Sequence, residues 1–365
     1  MKAVDLDSTY YTKHLITYLG NKRRLLYFIN SVVSEVSQKI GRPMVCMDGF
    51  SGSGVVSRLL KNYASLLVSN DIEEYATTVN SAYLSNKSEV DVDAVKEAID
   101  FLNAHKHDET DSSYFITKNY APADDENILL GERVFYTHTN AKIIDNVRAM
   151  INQIKDPVIK QYCLAALIIQ ASIHNNTSGV FKFHKKDGIG HFGGKGENAL
   201  TRIKGEIRLQ YPVFSDAECD VQVTEQDINE YWQNTTQEFD LVYYDPPYNQ
   251  HPYGSNYFML NIINNVDIEI QDGVSGIAKD WKKSEYNYKK KAEEAMDNLI
   301  AHTRSKYILL SYNNEGIIPQ ERMHEIVSSY GTVELKTQDY NTYRSRNLSD
   351  RKLHVKEQLW LIEKH

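Results

Sequence analysis

The sequence predicts an α/β chain in which a largely parallel sheet is interrupted by a mostly helical insertion. Three observations carry that expectation. Short unbroken apolar runs end on an acid or on glycines. Stretches with helical spacing alternate with those runs. A long middle region loses the strand pattern, which resumes near residue 221. At 365 residues the chain exceeds one average domain, and roughly 150 residues per domain argues for about two lobes.

The elements follow in order. Helical spacing runs from Lys22 to Gln38, and Gly41-Arg42-Pro43 stops it. Met44 to Met47 is a buried strand that ends in Asp48-Gly49-Phe50-Ser51-Gly52-Ser53-Gly54, with a helix over Val55 to Tyr63 behind it. Leu66 to Asp71 is a second strand and Glu73 to Leu84 a second helix. Within residues 85–220, helices are expected at Asp91 to Leu102, Ala141 to Ile154 and Val158 to Ile173. From Asn175 to Lys195, aromatic and basic residues alternate among glycines, which suggests a hairpin and a mobile loop. Strands resume at Val221 to Thr224, Phe239 to Tyr244 and Tyr307 to Tyr312, and close at Val333 to Leu335 and Gln358 to Ile362.

Composition narrows the class. Hydrophobic residues make up 41% and charged residues 25%, which excludes a disordered or collagen-like chain. The formal charge of −8 argues against a protein that coats nucleic acid, but leaves room for a confined basic groove. No window reaches the ~18 apolar residues of a membrane helix, and the N-terminal residues lack a signal-like apolar core, so a cytoplasmic location is expected. Cys46, Cys163 and Cys219 form no CxxC pair, so neither a disulfide framework nor a metal site is expected.

Two sites carry chemistry. The first is the turn at 48–54, where glycines let a ligand approach the backbone. Asp71, at the tip of the second strand, can hold the two hydroxyls of a ribose. Alone, this turn is equally served by a tight strand-to-helix connection. The second is Asp245-Pro246-Pro247-Tyr248 after a strongly apolar strand. The prolines keep the backbone extended and donate nothing. The Asp245 carboxylate and the Pro246 carbonyl are then two acceptors beside the flat face of Tyr248. An exocyclic amine on a planar base requires that set.

Together these motifs resemble the S-adenosylmethionine (SAM)-dependent adenine-specific (N6) DNA methyltransferases of the Dam-like group α. Tyr18-Leu19-Gly20-Asn21-Lys22-Arg23 resembles that family's N-terminal motif, and residues 175–195 look like a diverged version of its Asn-x-x-Gly-x-Phe hairpin. The resemblance implies a mixed seven-stranded Rossmann-like sheet. It divides the chain into a catalytic domain (1–84 and 221–365) and an inserted target-recognition lobe (85–220). It implies that Phe50, Gly52 and Gly54, with Asp48, wrap the methionine half of SAM. Tyr18, Gly20 and Lys22 close that pocket, Asp71 holds the ribose, and Asp227 and Ile228 hold the adenine of SAM beside Asp245. Catalysis falls to Asp245, Pro246, Pro247 and Tyr248 on a flipped-out adenine of duplex DNA. A cognate restriction endonuclease is the partner it implies.

Basic residues offer phosphate contacts: Lys182, Lys185, Lys186, Lys195 and Arg202 in the insertion, and Arg344 in a late basic loop. A second cluster spans Lys279 to Lys291, with a solvated face as its equal alternative. Three other functions stay open. A cytosine amino-methyltransferase more often carries Ser at Asp245, and an RNA or protein amide methyltransferase typically carries Asn. A non-catalytic DNA-binding module would need neither motif.

Overall fold

A computed structural model describes residues 4–13, 15–16, 20–177, 180–194, 199–265, 269–340 and 355–365. Tyr18, Lys195 and Arg344 lie outside the described residues.

Seven strands form one sheet: β1 (Met44–Asp48), β2 (Ala64–Asp71), β3 (Asp220–Glu225), β4 (Phe239–Tyr244), β5 (Ser305–Asn313), β6 (Gly331–Tyr340) and β7 (Val355–Lys364). Their spatial order is β3-β2-β1-β4-β5-β7-β6. Neighbours from β3 to β5 pair in parallel, while β7 runs antiparallel to both β5 and β6. This is the mixed Rossmann-like sheet the sequence implied. Every residue of β4 is buried, as a central parallel strand covered on both faces requires. β3, at one edge, alternates partly buried with exposed residues, which fits Asp-Val-Gln-Val-Thr-Glu.

Side-chain alternation splits each strand between two cores. Leu241, Tyr243, Leu309, Leu359 and Leu361 pack with Ile29, Val33 and Val36 of the helix Leu26–Ile40. Val242, Tyr244, Leu310, Trp360 and Ile362 face the opposite way. They pack with Trp232 of the helix Ile228–Asn234 and Leu299 of the helix Ala292–His302.

The insertion contains the expected helices, observed at Val92–His105, His138–Gln153 and Pro157–Ile173, and a short one at Phe115–Tyr120 that the sequence did not suggest. Their apolar faces share one core with Tyr75 and Val79 of the helix Glu74–Leu84 and with Phe258 and Ile262 beyond β4. Packing therefore runs without a break across the boundary expected at residue 84. The expected hairpin is brief: Lys185–Lys186 pairs with Ile189–Gly190. Among the described residues, no helix is long and apolar enough to cross a membrane.

Candidate active site

β1 pairs with β2 on one side and β4 on the other, so chain connections leave its carboxyl end in opposite directions. Open α/β sheets carry their ligand crevice at such a point. Here the cleft encloses about 970 Å³, counting its open mouth, and the ends of β1, β2 and β4 line it.

β1 contributes Asp48 and the glycine turn. The Ser57 hydroxyl donates to Asp48 Oδ2 at 2.7 Å and the Phe50 amide lies close enough to favour the carboxylate, whereas buried Oδ1 has no aligned hydrogen-bond partner among the described residues. Burial pushes the Asp48 carboxyl up to about 7; the hydrogen bond from Ser57 offsets only part of this, and the nearby charges of Asp245 and Asp71 add to it. Gly54 has φ +72°, and a Cβ there would collide with the Asn80 side chain. Asn80 uses that space to donate to Ser51 Oγ at 2.9 Å and to the Gly52 carbonyl at 3.3 Å. Only glycine permits both the backbone angle and the buttress.

β2 contributes Asp71, whose Oδ2 accepts from the Gly52 amide at 2.7 Å and Oδ1 from the Glu73 amide at 2.9 Å. The acid thus ties the strand tip to the glycine turn. Burial holds its carboxyl above the usual range despite these amides. Glu73, also in the lining, is pushed up to about 7 by burial and by Asp71, and accepts from Asn261 Nδ2 at 2.7 Å.

β4 runs directly into Asp245. Lys22 Nζ lies 3.0 Å from Asp245 Oδ1 and 2.7 Å from Glu357 Oε1 on β7. The contact to Glu357 is the shorter and the better aligned, so Lys22 is shared between the two carboxylates and lies nearer Glu357. Burial, opposed by Lys22 and reinforced by Glu357, pushes the Asp245 carboxyl up to about 6. Burial alone would lower the Lys22 pKa, but the two carboxylates hold it well above the usual lysine range.

Of the sequence-predicted residues, the cleft gathers Gly20, Lys22, Asp48, Phe50, Gly52, Asp71, Asp227, Asp245 and Pro247. Gly54, Ile228, Pro246 and Tyr248 do not line it. Gly54 acts from behind, through the turn it permits. Ile228 is buried against Gly49 in the sheet core, because it opens a helix whose apolar face packs inward. Asp227 caps that helix through Oδ1, accepting from the Asn229 amide at 2.9 Å and the Glu230 amide at 3.3 Å. The Tyr248 ring stands beside the cleft, 5.4 Å from Lys22 Nζ and edge-on to Tyr312. A Cβ at Gly20, whose φ is +80°, would meet the Tyr248 hydroxyl.

Ser284 and Asn287 line the cleft with no signal in the sequence, and Lys282 was expected only as a phosphate contact or part of a solvated face. Lys282, Ser284 and Asn287 reach the cleft from beyond residue 265. Lys282 pairs with Glu225 at the end of β3, and Tyr286 packs edge-on to Phe50 at 5.3 Å. No motif announces that return. Glu357 did leave a signal: it shares the strand face of Leu359 and Leu361, where an acid is out of place.

The basic residues divide. Lys182, Lys185 and Lys186 are exposed. Arg202 departs from the phosphate reading: its guanidinium donates to the carbonyls of Ile173, Asn175 and Thr177 and pins the chain before the hairpin. In the second cluster, Lys279 pairs with Glu269 at 2.9 Å, Lys291 with Glu285 at 2.7 Å, and Lys282 with Glu225. Those three charges are matched inside the chain.

A model of the D12 class N6 adenine-specific DNA methyltransferase family matches residues 18–326. The modification methylase StsI of Streptococcus sanguinis is 31% identical over 366 residues, covering 95% of this chain and 52% of its own. The type II methyltransferase M.NlaIII of Neisseria lactamica is 27% identical, covering 92% of this chain and 95% of its own. M.FokI of Planomicrobium okeanokoites is 28% identical over 90% of this chain and 50% of its own. The chain thus spans about half the length of StsI and M.FokI and nearly all of M.NlaIII.

Proposed function

The chain belongs to the D12 class of N6 adenine-specific DNA methyltransferases, and from that premise we propose that its cleft moves a methyl group from SAM to the exocyclic amine of an adenine in duplex DNA. One observation carries the residue assignments: Asp48, Asp71 and Asp245 converge on one cleft at the sheet's switch point, and Asp48 keeps a buried oxygen with no aligned hydrogen-bond partner among the described residues. Orphaned buried acceptors are costly unless a ligand satisfies them.

The donor set fits SAM. Asp48 Oδ1 suits the ammonium of its methionine half, Asp71 the ribose hydroxyls, and Asp227 with Gln226 the adenine edge. When bound, SAM supplies an electrophilic methyl on a sulfonium. The chain's own work is on the acceptor. An adenine amine is a weak nucleophile because its lone pair is delocalised into the ring. Asp245 Oδ1 and the Pro246 carbonyl accept its two N–H groups and favour a more tetrahedral nitrogen. Fixing both reactants in line contributes much of the rate. The amine is out of reach inside a duplex, so the base is extruded at a cost of a few kcal/mol, and stacking on Tyr248 offsets part of it.

Residues 85–220 carry the target contacts in this reading, with Lys182, Lys185 and Lys186 at phosphates. The relatives' names, modification methylase and type II methyltransferase, support a role as the protecting half of a restriction–modification pair. Incubation with methyl-labelled SAM and duplex DNA, followed by nucleoside digestion, tests it. Label in N6-methyladenine is expected; label only in cytosine, or only with RNA, refutes the substrate.

A further inference from the structure

We propose that Glu357 is a positioning residue that acts through Lys22 to keep the Asp245 carboxylate open to the substrate amine; this rests on the reading of Asp245 as the amine acceptor. Glu357 is buried on β7, at 4% exposure. Its Oε1 accepts from Lys22 Nζ at 2.7 Å and from Ser311 Oγ on β5 at 3.0 Å. Two carboxylates therefore face one buried ammonium, with Asp245 at the cleft wall. For stability alone that is a poor arrangement, since a single pair would avoid burying a second acid and its repulsion with the first.

Geometry supplies the reason. Lys22 stands 3.0 Å from Asp245 Oδ1 but closer to Glu357 Oε1, at 2.7 Å and in the better hydrogen-bonding alignment. With Glu357 neutral or absent, the buried ammonium would turn to the remaining carboxylate and occupy the oxygen the amine needs. Glu357 draws the ammonium toward itself and away from Asp245, and Ser311 fixes Glu357. Lys22 still contributes charge, which keeps Asp245 ionised. Among the described residues, the other groups facing this cluster are Tyr243 from β4, Asp48 from β1, Tyr248 from the loop after β4 and Tyr253 at the start of the helix Tyr253–Asn256.

Glu357→Gln, which preserves shape, tests this. Single-turnover methyl transfer is measured against pH, with KM for SAM and for DNA. The expected result is a plateau rate lowered about tenfold with both KM values within about twofold. The acidic limb moves to lower pH, because Glu357 raises the Asp245 pKa and Lys22 lowers it. In a Lys22→Met background, Glu357→Gln lowers the plateau rate no further, although the limb still moves through the direct repulsion between Glu357 and Asp245. An unchanged plateau and limb in Glu357→Gln, beside an active parent, overturns the proposal, and so does full additivity of the plateau losses with Lys22→Met. If Glu357→Gln does not fold, Ser311→Ala is expected to shift the limb the same way by less; no shift there overturns it equally. A parent inactive on duplex DNA overturns the reading of Asp245 itself, which separates the two failures.

Discussion

The cleft and the basic hairpin answer to different physics. In the cleft, most of the chemistry-bearing side chains are buried and held from several directions. Asp71 is fixed by two backbone amides, Asp48 by Ser57, and Lys22 by two carboxylates. At the hairpin, Lys182, Lys185 and Lys186 stand exposed, and Lys185 lies over the Phe183 ring at 5.2 Å. Pre-organised charge in a dry site acts strongly over short distances, whereas exposed charge acts weakly and yields to salt. Changes in the cleft should therefore be steep and local, and changes at the hairpin shallow and salt-dependent.

The largest expected effect is at Asp245. Asp245→Ala should slow methyl transfer about a hundredfold or more while SAM still binds by calorimetry, because the amine loses its acceptor and the sheet loses nothing. Near-parental turnover would erase the distinction between the two regions. Next comes Asp71→Ala. Losing the ribose acceptor and freeing the Gly52 and Glu73 amides should weaken SAM binding about tenfold or more, with DNA affinity unchanged.

At the hairpin, Lys182→Ala with Lys185→Ala should flatten the log–log salt dependence of DNA binding by about 0.9 for each phosphate left unneutralised, with SAM affinity unchanged. Arg202→Ala sharpens the contrast from inside the same region. It should lower Tm by a few degrees and leave the salt slope alone, because its charge is spent on backbone carbonyls. A lower slope in Arg202→Ala would return it to the phosphate surface.

The smallest effect concerns pH and the ligand-free protein. Asp48, Glu73 and Asp245 have folded pKa values raised to about 7, 7 and 6. Between the ordinary carboxylate range and those values the folded state binds more protons than the unfolded one. These three groups therefore favour folding at acidic pH, and their contribution falls as pH rises through roughly 4 to 7. Asp48→Asn should accordingly raise the ligand-free Tm by a degree or two near neutral pH while weakening SAM binding. A drop in Tm at neutral pH would show that the Asp48 charge is compensated in the folded state.

Much of this was legible along the chain. The central strands were visible as apolar runs, because strands covered on both faces must be continuously hydrophobic, and the edge strands β3 and β6 as short alternating patterns. The glycine turn and Asp-Pro-Pro-Tyr were legible because each function occupies neighbouring positions. Gly54 is a fair example: its backbone angle is a local demand. Ile228 misled because the same apolar residue serves a ligand pocket or a helix's inner face, and only packing chooses. Arg202 misled for the matching reason, since a guanidinium satisfies phosphates and carbonyls alike.

By itself, then, the sequence determined the order of the elements, the switch-point turn and the acids at the ends of β1, β2 and β4, since those depend on local backbone preference and hydrophobic period. Tertiary structure alone decided which distant groups meet. Lys22 and Glu357 stand at opposite ends of the chain and touch because β7 inserts beside β5, laying its inward-facing acid next to the lysine. Lys282 and Asn287 join the cleft because their segment folds back over it. Such meetings depend on through-space distance, which no spacing along the chain encodes.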